Sequence, residues 1–433
     1  MLVKHLAILY QAPNAFGAAR LSKTSATLVE GRYNHQRPDT MISEDEARAK
    51  ILETIRRLST RQIPLADALD CFAAEDYFAR LPLPNFDNSA MDGYAVVASS
   101  CARAKQLRVI GEQPAGLDRH LRINLGEAVR IFTGAPMPGG ADAIVMQEDV
   151  TREGNEILLN VDVDVGEFVR GRGCDLGEGQ KILAVGGPIR AATLALLASQ
   201  GFGKITVGGE VNAAIISTGD ELVKFGEQLR PGQIYESNSI LLQALLQKCH
   251  AIVKSVQNCR DDDDSLGEAL RSGIKNHVLI INGGVSVGEH DLVQAALRSL
   301  GAEIDIWRVA IKPGKPFLFG RIGECAVFGL PGNPVSAFVT FLRLVRPAIL
   351  TMMGACESEL EPAKVPAKLI VDLRNDGDRA RYFRGRVAEG KFSPIGRQES
   401  HALFGLSQSN ALLRLAAGEE LKRGMMVELQ LFD

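Results

Sequence analysis

The stretch Val278 to Asp291, VLIINGGVSVGEHD, decides the fold. Val278 to Ile281 is an apolar, β-branched run that stops at Asn282-Gly283-Gly284. Bounded by glycines in this way, it reads as a buried strand. A short loop carrying Ser286, Gly288, Glu289 and Asp291 follows, and the helical pattern LVQAALRSL begins directly after it. In an α/β sheet the loop leaving the carboxyl end of a strand is where ligands bind. Glycines there let backbone N–H groups approach and face an anion. A carboxylate beside such a nest makes sense when a cation bridges it to the anion. The loop therefore points to a phosphate-bearing ligand held with Mg2+.

The same texture extends outward from this loop. VNAAIIS, from Val211, is a strand with STGDEL as its loop, and Ser239 to Lys248 is helical. AIVKSVQ is a strand, Ser265 to Ile274 a helix, and Leu292 to Leu300 another. This alternation predicts a doubly wound parallel sheet over residues 208–355. VPAKLIVDL, RYFRGRVAEG, ALLRL and MMVELQLF then predict a small C-terminal β domain over 356–433. Upstream, short alternating runs separated by Gly, Pro and Asn predict a β-rich, barrel-like or sandwich module over 81–175. It is inserted into a discontinuous helical module, residues 41–80 and 176–207, which carries a helix from Pro188 to Ser199. Ser43 is placed to cap the first helix, whose opening turn holds Glu44, Asp45 and Glu46. Residues 1–40 keep no period and are expected to be a loose extension. Met41-Ile42-Ser43 reads as a second beginning, so Met1 and Met41 both stand as starts.

Composition narrows the class. At 433 residues the chain is long enough for about three domains. Lys and Arg total 49 against 52 Asp and Glu, and no block is strongly basic, which argues against a nucleic-acid partner. The seven cysteines are scattered without a CxxC pair and read as reduced thiols of a cytoplasmic protein. No run of about 18 apolar residues predicts a membrane span. The seven histidines lack close pairing, which disfavours a zinc site. No Ser–His–Asp order, Walker loop or GxGxxG fingerprint is present.

Each candidate motif has a plainer reading. STGDEL (Ser217 to Leu222) places Asp220 and Glu221 at a strand end, where solvated acids in a turn are the competitor. Of the acids after Arg260, only Asp261 is a site candidate, because acids at a helix start are favoured by the macrodipole. IKPGKPFLFG carries Lys312 and Lys315 on a proline-stiffened loop, suited to an oxyanion or pyrophosphate. GLPGNPVSAF puts Ser336 at a helix start whose N–H groups could receive an anion. Asp92 in DNSAMDGYAV, Thr133 in IFTGAPMPGGAD, and Arg170, Arg172 and Asp175 in VRGRGCDLGEG each read singly as β-turn residues. Arg384 reads as a solvated strand arginine.

Together, NSAMDGYAV, IFTGAPMP, RGRGCD, STGDEL, GQIYESNS, GGVSVGEHD, IKPGKP and GLPGNPVSA occur in an order that resembles the molybdopterin molybdenumtransferases. That family comprises bacterial MoeA and the gephyrin E domain, and the resemblance covers Met41 to Asp433. It implies a MogA-like molybdopterin-binding sheet domain and a C-terminal small β-barrel. The implied reaction is Mg2+-dependent hydrolysis of the pyrophosphate link in adenylated molybdopterin, release of AMP, and transfer of molybdenum from molybdate to the dithiolene. By motif position it implies roles for Asp92, Thr133 and Asp175 from the β module. Glu221, Asp261 and Asp291 would hold the metal and act in catalysis. Lys312 would contact the anions and act in catalysis, while Gly283, Gly284, Ser286, Arg308 and Lys315 would bind the anionic substrate, with Ser336, Arg384 and Ser400 at the molybdate end. It also implies a homodimer whose active site draws on both subunits, with a molybdopterin adenylyltransferase and molybdoenzyme-maturation proteins as partners. Two departures stand out: Arg308 replaces a common lysine, and Asn282 a common serine or threonine. Adenylation of free molybdopterin, or a scaffold role without turnover, are the competing readings.

Overall fold

A computed structural model describes residues 41–260, 262–284 and 292–432. Helix α1, Glu44–Thr54, starts as its sequence predicts. The Ser43 hydroxyl accepts from the Glu46 N–H at 3.1 Å while the Glu46 carboxylate accepts from the Ser43 N–H at 2.9 Å, a reciprocal capping box. Arg61–Pro64 then pairs antiparallel with Lys204–Val207, and Tyr77–Phe78 with Lys181–Leu183. Segments more than a hundred residues apart thus close one small core around Leu65, Tyr77, Leu197 and Val207. Between them lies a six-stranded sheet, ordered Ala143–Met146, Gly93–Val96, Glu127–Ile131, Gln106–Gln113, Glu156–Leu159 and Val150–Glu153. Alternation in Gln106–Gln113 buries Leu107 against Ile157 and Leu159, as expected for a one-sided strand.

The sheet module contains β1 (Asn212–Thr218), α2 (Asn238–Lys248), β2 (Ile252–Cys259), α3 (Asp263–Gly273), β3 (Val278–Asn282) and α4 (Leu292–Ser299). It continues through β4 (Glu303–Arg308), β5 (Ile311–Lys312), β6 (Pro316–Ile322) and β7 (Cys325–Leu330). The spatial order is β2-β1-β3-β7-β6-β4. β2, β1, β3 and β7 are parallel, and β3 is buried at every position, as a strand covered on both faces must be. The parallel pattern stops at β6, which runs antiparallel to both β7 and β4. The physical reason is the two-residue turn at Gly323-Glu324, far too short for a parallel crossover.

Pro334 to Met352 forms a 19-residue helical run, mostly buried, with a π turn at Phe341–Val345. Its length and apolar composition would suffice to cross a membrane, yet here it fills the core of the module. Beyond it, β8 (Ala380–Ala388), Lys391–Pro394, Lys364–Leu369, Met426–Leu431 and Ala411–Leu415 close on themselves as a five-stranded barrel. β5 pairs in parallel with β8, so a strand of the sheet module extends the barrel's sheet.

A buried charge cluster joins three of these parts. The Glu44 carboxylate, 2% exposed, accepts from Arg343 Nε at 2.6 Å and Tyr382 Oη at 2.7 Å, and lies 3.4 Å from Arg414 Nε. Arg343 also reaches Glu361 at 2.8 Å. Burial raises the Tyr382 hydroxyl well above its ordinary value, and the neighbouring Glu44 charge adds to this. The first-turn acid at position 44 is therefore an internal anchor, whereas its place in the sequence suggested only a macrodipole partner.

Candidate functional site

The carboxyl ends of β1 and β3 open onto a cavity of about 370 Å³. Thr218, Gly219, Glu221, Glu236, Asn238, Asn282, Gly283 and Gly284 line it, together with the Pro331-Gly332-Asn333 turn after β7. Position 283 must be glycine. Its φ is +86°, and a Cβ there would sit 2.6 Å from the Thr218 carbonyl oxygen. Gly219, at φ +152°, lets the chain fold so that the exposed Glu221 carboxylate lies over its own loop; a Cβ at 219 would meet Glu221 Oε2 at 2.5 Å. The Asn282 side chain accepts, through Oδ1, from Asn238 Nδ2 at 3.3 Å. Asn238 Nδ2 also donates to the Gly332 carbonyl at 2.6 Å. The amide at 282 thus ties the end of β3 to the start of α2 and the β7 turn.

Glu236 is 4% exposed, yet sequence reading passed over it. Its carboxylate accepts from the Ser239 N–H at 2.8 Å, from the Ser239 hydroxyl, and from the Ser217 hydroxyl at 3.2 Å. The signal was present: an acid three residues before a serine at a helix start.

A second cavity of about 480 Å³ adjoins the first and shares Pro316, Pro331 and Asn333 with it. Lys312, Lys315, Ser336 and Ser400 line it, all four of them anticipated from the sequence. Arg379, Arg381, Gln398 and Glu399 join them, and these were not anticipated. The start of the Pro334–Thr340 helix does not serve as the open anion cradle expected of it. Pro334 has no N–H, and the Val335 N–H donates to the Ser400 carbonyl at 3.0 Å. This contact instead draws Ser400 to the cavity rim.

Arg384 is not solvated, because only 1% of it is exposed. Among the described residues its Nε and Nη2 have no hydrogen-bond partner, and the guanidinium lies against Gly405. Burial lowers its pKa, partly offset by the charge of Glu399. It does not line either cavity, and neither does half-buried Arg308, whose Nε also has no partner among the described residues. Asp261, Ser286 and Asp291 lie outside the described residues.

In the β module, Asp92 and Thr133 come together. Asp92 Oδ1 accepts from the Thr133 N–H at 2.7 Å and from its hydroxyl at 2.8 Å. The backbone bond is the larger cause, and together they hold the Asp92 carboxyl below its usual range. Asp175 is exposed after the Val169–Arg170 strand. None of these three lines the two cavities.

Comparisons with known proteins match the chain along most of its length. Residues 42–201 match the family described as MoeA N-terminal region (domain I and II), and 214–351 a probable molybdopterin binding domain. Residues 366–432 match the MoeA C-terminal region (domain IV). The molybdopterin molybdenumtransferase of Haemophilus influenzae is 36% identical over 383 residues, covering 87% of this chain and 94% of that protein. The enzyme of that name from a Nostoc species is 37% identical over 353 residues, covering 78% and 81%. Among solved structures, the molybdopterin biosynthesis MoeA protein of Pyrococcus horikoshii is 30% identical, with a TM-score of 0.78 over 91% of this chain and all of that one.

Proposed function

The chain belongs to the MoeA family of molybdopterin molybdenumtransferases, and from that premise we propose that its substrates are adenylated molybdopterin and molybdate, with AMP released. The observation that carries this reading is the pair of joined cavities. One has a glycine nest and Glu221 at its mouth, and the other has Lys312 and Lys315. Their shared wall suits a ligand whose pyrophosphate lies in one chamber and whose anionic end lies in the other. The Gly283 N–H is taken by the Leu330 carbonyl at 3.1 Å, so the Gly284 N–H would be left to orient a phosphate oxygen. Lys312 and Lys315 hold the oxyanion against the dithiolene, and Ser336 and Ser400 supply hydroxyls beside it.

The donors at the first cavity are hard oxygens without a thiol or imidazole, a set that fits Mg2+ with its preference for carboxylate, water and phosphate. Glu221, with Asp261 and Asp291, would hold it, and when bound it neutralises charge on the phosphoanhydride oxygens. The chain would act as a cytoplasmic homodimer. Asp92, held ionised by Thr133, and Asp175 would then serve the cleft of the partner subunit, which accounts for their distance from both cavities of their own chain. A molybdopterin adenylyltransferase would supply the substrate, and molybdoenzyme-maturation proteins would receive the product.

Single-turnover AMP release from adenylated molybdopterin tests the reading. Release is expected to require both molybdate and Mg2+ and to be lost in Glu221→Ala. Full AMP release by that variant, or release indifferent to molybdate, would overturn it.

A further inference from the structure

We propose that a third cavity, at the far end of the sheet module from the first two, is a separate binding site for a phosphate-type oxyanion, held by Arg56, Arg57 and Arg321. It measures about 190 Å³, against about 370 Å³ for the first. The strands fix its place. The first cavity gathers at the carboxyl ends of β1, β3 and β7, whereas this one opens beside the Gly323-Glu324 turn that leads into β7. From Ala326 in this cavity the chain reaches Pro331 in the first one five residues later, about 16 Å along the strand. The helical run Pro334 to Met352 spans the same two places, starting at the first cavity and ending at the third.

The opening has a packing cause. Arg321 is the register partner of Glu303 on one side and of Ala326 on the other, so the three side chains rise from one sheet face. Ala326 belongs to the core shared with Ile51, Ile55 and Met352, which identifies that face as the one α1 covers. α1 ends at Thr54, and the Leu58 N–H donates to the Met352 carbonyl at 2.9 Å, holding the Arg56-Arg57 turn against the helix end. The short side chain of Ala326 leaves the floor between these elements unfilled. Three guanidiniums then line the space against one carboxylate, that of Glu324. Arg321 Nη2 lies 3.0 Å from Glu303, but that acid is largely exposed, so the pair is solvated and weak. Among the described residues Arg56 and Arg57 pair with no acid, and Arg321 Nε is buried without a hydrogen-bond partner. Simple hydration accounts for the two exposed arginines but leaves the buried Nε unanswered. A tetrahedral oxyanion accepts from several planar guanidinium forks at once and satisfies all three.

The test uses the full chain and inorganic phosphate. Phosphate also suits the cavity of Lys312 and Lys315, so the readout is local: modification of single arginines by phenylglyoxal, mapped by mass spectrometry. Phosphate is expected to slow modification of Arg56 and Arg57 roughly tenfold, while sodium chloride at equal ionic strength leaves it unchanged. AMP in place of phosphate separates a phosphomonoester from the free ion, and protection by either supports the site. In Lys312→Gln/Lys315→Gln, titration calorimetry should still show one phosphate site. Adding Arg56→Gln and Arg57→Gln to that chain should raise its Kd roughly tenfold or more. Both arginines are exposed, so Arg56→Gln/Arg57→Gln alone should melt like wild type without phosphate and release AMP at the wild-type rate. Equal protection by chloride, or a phosphate Kd indifferent to the two arginines, overturns the inference. Loss of AMP release in Arg56→Gln/Arg57→Gln with an unchanged melt would also overturn it, since the arginines would then serve the other cavities.

Discussion

The Glu44 cluster makes a quantitative prediction. In Glu44→Gln the shape and one acceptor survive, so Tyr382 keeps a partner, but Arg343 loses its 2.6 Å ion pair in a site where both side chains are under a tenth exposed. Breaking a buried pair on one side costs roughly 3–5 kcal/mol, because the remaining charge stays desolvated. Glu361 stays 2.8 Å from Arg343 and moderates the loss, which sets the expectation at about 3 kcal/mol, the low end of that range. Arg343→Met should cost a similar amount, because the Glu44 carboxylate would keep only Tyr382 and the half-exposed Arg414. The double variant removes both charges and should be more stable than the two single losses predict, by about 2 kcal/mol of coupling. Urea unfolding of all four proteins, followed by fluorescence of Trp307 in β4, closes the cycle. A Glu44→Gln loss below ~1 kcal/mol, the range of exposed pairs, would refute the claim that burial governs this cluster.

Other outcomes follow from the same geometry. Gly283→Ala forces a β-carbon into a positive-φ site beside the Thr218 carbonyl, and should cost roughly 2 kcal/mol or more while weakening substrate binding measured by calorimetry. Ser43→Ala removes one half of the capping box and should cost about 1 kcal/mol in the same unfolding assay, without altering KM. Burial pushes the thiols of Cys249 and Cys325 from an ordinary 9.0 up to about 11 and about 12. Their contribution to stability is therefore fully present below pH 9.0 and is lost as pH rises from there through those values, which unfolding midpoints between pH 8 and 11 would register. Ellman's reagent at pH 8 should modify exposed Cys174 first and reach Cys249 and Cys325 only in denaturant.

Local signals carried the fold far. Ser43 followed by Glu46 announced α1, and the run before Asn282-Gly283-Gly284 announced a strand buried on both faces. Lys312, Lys315 and Ser336 stood out as candidates because breaker-rich loops point to a ligand edge, Ser400 came only from the family resemblance, and all four line one cavity. What escaped was set by contacts between distant segments. Glu44 looks identical in sequence to its solvated neighbour Asp45, and only Arg343, 299 positions away, makes it an anchor. Arg384 alternates with apolar neighbours like any strand arginine until the barrel closes over it. Arg379 and Arg381 gain meaning only when β8 is laid beside β5. The antiparallel β6 was missed too, although the short Gly323-Glu324 turn carried its signal.

The way the β module joins its host carries a further consequence. Its entry and exit touch: the Leu83 N–H donates to the Leu176 carbonyl at 2.8 Å, and the strands just outside it pair with one another. A segment whose two ends meet behaves like a cassette, since its removal leaves a gap that a tight turn can bridge. Lineages could lengthen, trim or exchange this cassette while the scaffold that carries both cavities stays untouched.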